Sequence, residues 1–359
     1  MAKFTEIFED VTKQGTKIPT NLYLENGLYP IIDQGQSEIA GYTDKVEGLF
    51  TDIPAIIFGD HTRIIKYVDT PCFLGADGVK LLKAKDPTAN YKYLYYALCN
   101  ADIPNTGYNR HFKWLKEIEI PEYSTEEQNS IVSQLEKIDA LISLRKQQLV
   151  KFDELKKVRF MELIRDNEFT YVRLADVVES GRIITYGIVK PGEHTEGGIP
   201  VIKVKDFPNG TILMDDLLLA SPDVESKYER SRVKEGDLLF SIRGSVGRTA
   251  FVPKELINAN ITQDTARISI DQNFNPHYIR ASLEYDIVLQ EINEHIRGVA
   301  VKGISLSELR EIKIPVVSQS IQNVFGCFIE QTEHSEIEIQ KSLEKLEMLK
   351  KALMQQYFG

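Results

Sequence analysis

The strongest constraint on this 359-residue chain is that part of it occurs twice. With Leu115 placed on Leu309 and no gaps, an offset of 194, 14 of the 43 positions from 115 to 157 are identical. They include Glu117/Glu311, Ile118/Ile312, Ile120/Ile314, Pro121/Pro315, Ser124/Ser318, Gln128/Gln322 and Asn129/Asn323. Farther on come Glu136/Glu330, Leu149/Leu343, Lys151/Lys345, Leu155/Leu349, Lys156/Lys350 and Lys157/Lys351. Ordinary composition gives roughly two or three such matches, so this is a duplication, and a fold that ignores it is excluded.

Each copy has one internal grammar. Alternating Ile118 and Ile120, or Ile312 and Ile314, predict a short strand that a proline ends. Ser124-Thr125-Glu126-Glu127 then offers a helix cap with acids in the first turn. Apolar residues at Ile131, Leu135, Ile138, Ile142, Leu149, Phe152 and Leu155 predict a striped helix, repeated by Phe325, Ile329, Leu343, Leu346, Leu349 and Leu353. Residues 126–164 contain neither proline nor glycine, a rod of roughly 50–60 Å if continuous. The expected fold is mixed α/β: two globular domains, 1–125 and 166–316, separated by an antiparallel pair of long helices, 126–165 and 317–359. Within the domains, strand-like 55–58, 237–240 and 266–270 alternate with helix-like 91–100 and 276–290.

Composition narrows the class. Cys72, Cys99 and Cys327 are far apart without a CxxC spacing, which reads as reduced thiols in the cytoplasm. Neither a signal-peptide core nor an apolar run of membrane-spanning length is seen. The net charge is −10, distributed as −4 over 1–125, +1 over 126–165, −5 over 166–316 and −2 over 317–359. A protein that binds nucleic acid by bulk positive charge is therefore excluded, and any such site must be a local patch. The same balance predicts weak duplex binding by the isolated chain.

Catalytic signatures are missing. No Walker loop, HExxH, GxSxG or zinc-spaced Cys/His set occurs. Asp223, Glu225 and Lys227 superficially suggest a nuclease set, but they sit in a Ser/Pro-rich loop, and no catalytic residue or metal ligand is assigned. Candidate DNA contacts are better defined. His61 and Arg63 lie in a polar turn after the first apolar strand. Tyr108, Asn109, Arg110, His111 and Lys113 crowd the stretch before the first repeat, with Phe112 and Trp114 as its expected anchors. In the second domain, Arg243, Ser245 and Arg248 occupy a Gly/Arg turn suited to phosphate. Gln263 offers an amide for adenine, and Arg297 and Lys302 are the cations at the repeated offset.

With these residues in view, the chain resembles the specificity subunits of Type I restriction-modification enzymes. The likeness rests on Tyr29-Pro30-Ile31-Ile32-Asp33-Gln34-Gly35-Gln36, Ile39-Ala40-Gly41-Tyr42-Thr43-Asp44 and Gly107 through Leu115. It rests also on Gly236-Asp237-Leu238-Leu239-Phe240-Ser241-Ile242-Arg243-Gly244-Ser245-Val246-Gly247 and on Ile-x-Ile-Pro before each long helix. It covers essentially the whole chain. One departure is visible: Glu127-Gln128-Asn129-Ser130-Ile131 becomes Ile321-Gln322-Asn323-Val324-Phe325 in the second copy. The resemblance implies that each domain is a target-recognition domain reading one half of a split, asymmetric double-stranded DNA site. The helix pair would space the halves and dock two modification (methyltransferase) subunits, with restriction (motor-nuclease) subunits joining. It also implies a non-catalytic chain without a cofactor of its own, S-adenosylmethionine, ATP and Mg belonging to the partners. The competing readings are a solitary restriction enzyme or methyltransferase, and a coiled-coil scaffold that ignores DNA.

Overall fold

Apolar runs without alternation, such as 55–58 and 238–240, suit strands covered on both faces. Both lie inside sheets of the computed structural model, which describes residues 1–75, 78–107, 109–298 and 301–359. In the first head the strands are β1 (Ala2–Lys3), β2 (Phe8–Asp10), β3 (Tyr29–Ile32), β4 (Gly41–Thr43), β5 (Ala55–Gly59), β6 (Ile65–Val68), β7 (Phe73–Leu74), β8 (Val79–Ala84) and β9 (Glu119–Ile120). Its helices are α1 (Phe4–Ile7), α2 (Tyr91–Cys99) and α3 (Phe112–Leu115), and α4 (Thr125–Asp166) is the first long helix. The second head has β10 (Thr170–Arg173), β11 (Thr185–Tyr186), β12 (Ile199–Ile202), β13 (Leu218–Ala220), β14 (Leu238–Ser241), β15 (Thr249–Phe251), β16 (Asn260–Ile261), β17 (Thr265–Ile268) and β18 (Lys313–Val316). Its helices are α5 (Pro222–Glu225), α6 (Pro276–Leu283), α7 (Asp286–His295) and α8 (Leu306–Glu311), and α9 (Gln319–Phe358) is the second long helix.

The duplication extends through the heads. Sheet order β2-β8-β5-β6 corresponds to β11-β17-β14-β15, β4-β3-β7 to β13-β12-β16, and β1-β9 to β10-β18. Even the parallel pairs recur, β3 with β7 and β12 with β16. In the first head, Ile56 and Phe58 face α2 while Ala55 and Ile57 face the three-stranded sheet with Ile32 and Leu74. In the second, Leu238 and Phe240 face Tyr278 and Ile279 of α6, and Leu239 faces Ile202 and Ile261. Each fully buried Leu, Ile or Phe among them contributes about 1.5–3 kcal/mol.

Three repeated identities have structural jobs. Asn90 caps α2 by accepting from the Tyr93 N–H, and Asn275 caps α6 by accepting from those of His277 and Tyr278. The same asparagines donate to Asn129 at 2.9 Å and Asn323 at 3.3 Å, tying each head helix to the start of its long helix. The Gln128 amide donates to the Tyr123 carbonyl at 3.0 Å and the Gln322 amide to that of Val317 at 2.8 Å. Tyr93 and Tyr278 hydroxyls donate to the Pro121 and Pro315 carbonyls at 2.6 and 2.9 Å.

The chain forms two compact units, Met1–Gln147 with Gln340–Gly359, and Gln148–Ile339. Each therefore contains one head and one half of each long helix. In the first unit Tyr357 donates to Gln134 and Lys350 pairs with Asp139, so the helix segments run antiparallel. In the second, Lys156 meets Glu336 and Phe160 meets Phe325, again antiparallel. The repeated lysines 156 and 350 thus each neutralise an acid of the opposite helix. Among the described residues no helix is long and apolar enough to cross a membrane.

Three sequence expectations change. β9 stops before Pro121, but β18 runs through Pro315, which faces Tyr171 in a two-stranded ladder where its missing N–H leaves no partner unsatisfied. The stretch 276–290 is two helices, because Tyr285 is extended (φ −72°, ψ 135°) and breaks it. Leu155 and Leu349, placed in the stripe by spacing, are 47% and 48% exposed. A 3.6-residue turn drifts off a seven-residue repeat: Leu343 of the stripe is buried as expected, while Phe160, Ile164 and Met354, outside it, are buried in place of Leu155 and Leu349.

Candidate nucleic-acid interface

The same two pieces meet in each head: the turn after the central strand, and the segment before a short helix. In the first head, β5 turns through 60–64 into β6. Arg63 holds a left-handed backbone (φ 64°), a conformation costing about 1–3 kcal/mol outside glycine. It is fixed by its N–H donating to the Gly59 carbonyl at 2.7 Å and its guanidinium donating to the Ile103 carbonyl at 3.0 Å. The His61 ring reaches the Asn109 carbonyl at 3.2 Å, so turn and segment are joined where the candidate contacts lie. Arg110 is exposed, and the Lys113 ammonium sits 4.6 Å from the Trp114 ring centre. Among the described residues neither forms an ion pair. Phe112 is buried, and Trp114 packs against the same core. Tyr108 lies outside the described residues.

His111 is a correction. Its side chain is fully buried (0% exposed) and cannot touch a duplex. Sequence spacing gave no sign of this, because the residue is flanked by exposed cations. Gln34 was missed: its amide oxygen accepts from the His61 N–H at 3.2 Å and its carbonyl from the Thr62 hydroxyl at 2.7 Å, bracing the turn from β3. Lys66 supports the same loop by donating to the Ser37 carbonyl at 2.5 Å, and its burial lowers the ammonium's affinity for its proton.

In the second head the turn between β14 and β15 meets the segment before α8. Gly244 N–H donates to the Lys302 carbonyl at 2.9 Å and Ile304 N–H to that of Ile242 at 3.0 Å. Arg297 and Gly303 exchange backbone bonds at 2.8 and 2.9 Å. Gly244 (φ 74°) and Gly247 (φ 95°) take conformations an L side chain resists, so the turn requires glycine there. The Arg243 guanidinium donates to the Gln263 amide oxygen at 3.2 Å. Arg243, Ser245, Gln263 and Arg297 line one open groove of about 1070 Å³ with Val204 and Asp264. Lys302 is exposed beside them. Guanidinium, amide and carboxylate together match the donors and acceptors of base edges in a major groove.

Arg248 is separated from this set. It lines a different cleft of about 450 Å³ with Lys157, Phe160 and Tyr285. Glu225 is removed from any catalytic reading: 2% exposed, it accepts two bonds from Arg232 at 2.7 Å and one from Asn260 at 3.0 Å.

Comparison with known proteins now bears on this geometry. The family described as "Type I restriction modification DNA specificity domain" matches residues 1–152 and again 166–349. The chain belongs to that family. Its two matches fall on the two heads with their helices, as the duplication requires. The specificity subunit of the Type I restriction enzyme EcoBI from Escherichia coli is 29% identical over 157 residues, 44% of this chain. That match spans only a third (33%) of the relative's own length. A solved S subunit from M. genitalium superimposes with a TM-score of 0.61 at 18% identity, over 99% of this chain and 95% of that one. A chain from a structure on complex assembly and conformational transition of the Type I R-M system gives 0.54 at 16% identity, over 99% and 95%. At such identities these likenesses establish the fold.

Proposed function

We propose that this chain is the DNA-specificity subunit of a Type I restriction-modification assembly. Each head reads one half of a bipartite, asymmetric duplex site. The observation that carries this is the recurrence, in two heads of identical topology, of one turn-plus-segment surface bearing exposed cations and amides. A catalytic protein has no need to build the same solvent-facing surface twice.

The chain recognises and its partners react. Two modification subunits carry S-adenosylmethionine and methylate the site, and restriction subunits use ATP and Mg to cleave DNA lacking the mark. The paired helices set the unread gap and offer the docking face. Leu141 and Leu144 of α4 are 43% and 48% exposed, neighbouring apolar side chains open to a partner. The net charge of −10 places the bulk of the phosphate attraction on those partners, in the cytoplasm, leaving the heads to discriminate.

The test is an exchange of residues 1–125 for the equivalent domain of a relative, in the complete assembly, with methylated sites mapped across a genome. One half of the recognised sequence should change and the other persist. Change in both halves, or methylation without sequence preference, would refute modular reading. A scaffold indifferent to DNA would leave the mapped sequence untouched.

A further inference from the structure

The two heads hold their reading surfaces together by different means. In the second head the turn and the segment are laced, among the described residues, by backbone bonds alone, from Gly244 to Lys302 and from Ile304 to Ile242. In the first head one backbone bond is joined by two that use side chains, a latch built from His111 and Asp60. Asp60, 4% exposed, receives three bonds from the segment: the His111 N–H on its carbonyl at 2.8 Å, the His111 ring on the same carbonyl at 2.9 Å, and the Phe112 N–H on its carboxylate at 2.7 Å.

The ring's protonation pattern follows from its partners. A carbonyl only accepts, so Nδ1 carries a hydrogen. Nε2 faces the Thr106 N–H at 3.4 Å and the Thr106 hydroxyl at 3.3 Å, both able to donate, so it is an acceptor. The Nδ1–H tautomer is compatible with these contacts. His111 thereby spans the segment from Thr106 to Phe112 and clamps it onto the turn. Between its two anchors lie Asn109 and Arg110, and Asn109 in turn takes the bond from His61.

We propose that His111 is a positioning residue that sets the DNA-reading surface of the first head, acting through Thr106 and Asp60 rather than by contact. This rests on the proposed specificity function. Loss of the ring's bonds should free Asn109 and Arg110 to sample several placements, blurring recognition in one half-site only.

The experiment uses the full chain assembled with its modification subunits. His111→Leu keeps apolar bulk but no hydrogen bonds. His111→Asn places an amide N–H near the position of Nδ1. Mapped methylation by His111→Leu should lose roughly tenfold or more of its base preference in one half-site, with the other half unchanged. His111→Asn should restore much of the preference. The intact second half serves as the check on folding, since a chain that failed to fold would methylate nothing, and in that case His111→Asn alone must still show a one-sided loss relative to wild type. Full two-half fidelity in His111→Leu, equal blurring of both halves, or no difference between the variants would overturn the latch. A wild-type assembly that methylates no bipartite site would instead refute the specificity reading beneath it.

Discussion

Arg243 and Lys302 share one neighbourhood, and the proposed function assigns them different parts of a duplex. Arg243 donates to Gln263, and a guanidinium fixed in this way has the geometry to read a base edge. Its replacement by alanine should cost about 1–3 kcal/mol and relax one base position. Lys302→Ala should weaken all sequences alike and reduce the slope of log affinity against log salt by about 1. Titrations of the assembled complex on cognate and substituted duplexes separate these, and uniform weakening by Arg243→Ala would sink the base-reading role. A second residue-scale case is Glu225. Its hydrogen bonds from Arg232 hold the carboxyl below the usual carboxylate range. A depressed acid stabilises the fold above its unfolded value, about 4.3, and that stability is lost as pH falls through the lower folded value. Glu225→Gln should cost about 2 kcal/mol at neutral pH, discounted because Arg232 is partly exposed. The variant should also flatten the acid limb of thermal unfolding. An acid limb identical to wild type would show the pair is not titrating there. At this scale the sequence displayed which residue types were present but not their burial, so His111 and Arg110, adjacent in the chain, looked alike and face opposite ways.

Elements were more legible, because a repeat shows which positions both copies need. Gln128 and Gln322 were visible as an identity. Their shared role, turning the chain from the closing strand into a long helix, needed the structure. The two are not equivalent energetically. Gln322 is 1% exposed and uses both ends of its amide, donating to Val317 and accepting from the Asn275 N–H at 3.0 Å. Gln322→Ala strands one buried and one part-buried backbone group and should cost about 2–3 kcal/mol, whereas Gln128→Ala should cost less than about 1 kcal/mol. Denaturant unfolding of the full chain measures both, and equal costs would contradict the difference in burial. The apolar stripe was the less legible feature. Spacing alone placed Leu155 and Leu349 inward, but a helix segment that packs on its own head as well as on another helix turns a different face inward. Only three-dimensional packing decides between those demands.

For the whole molecule, duplication was plain where sequence had stayed alike and fainter in the heads, where the apolar runs ending at Phe58 and Phe240 both open into cationic turns. The helices announced it. The heads kept strand order while their sequences diverged, since buried strands tolerate any apolar side chain of suitable volume whereas reading surfaces must differ to read different bases. The compact units also divide where the sequence gives no boundary, inside the helices, at Gln147 and Ile339. That division allows a test of the spacing role. Four residues of helix added after Gln147 and four after Ile339 leave every contact within either unit in place. Each insertion lengthens its helix by about 6 Å, equivalent to roughly two base pairs of duplex. The assembly carrying both insertions should methylate the same two half-sites with the unread gap longer by about two base pairs. An insertion in α4 alone shifts it against α9, removes the match between Lys156 and Glu336 or between Lys350 and Asp139, and should abolish site-specific methylation. If the doubly extended chain kept the original gap, the helices would not be what measures it.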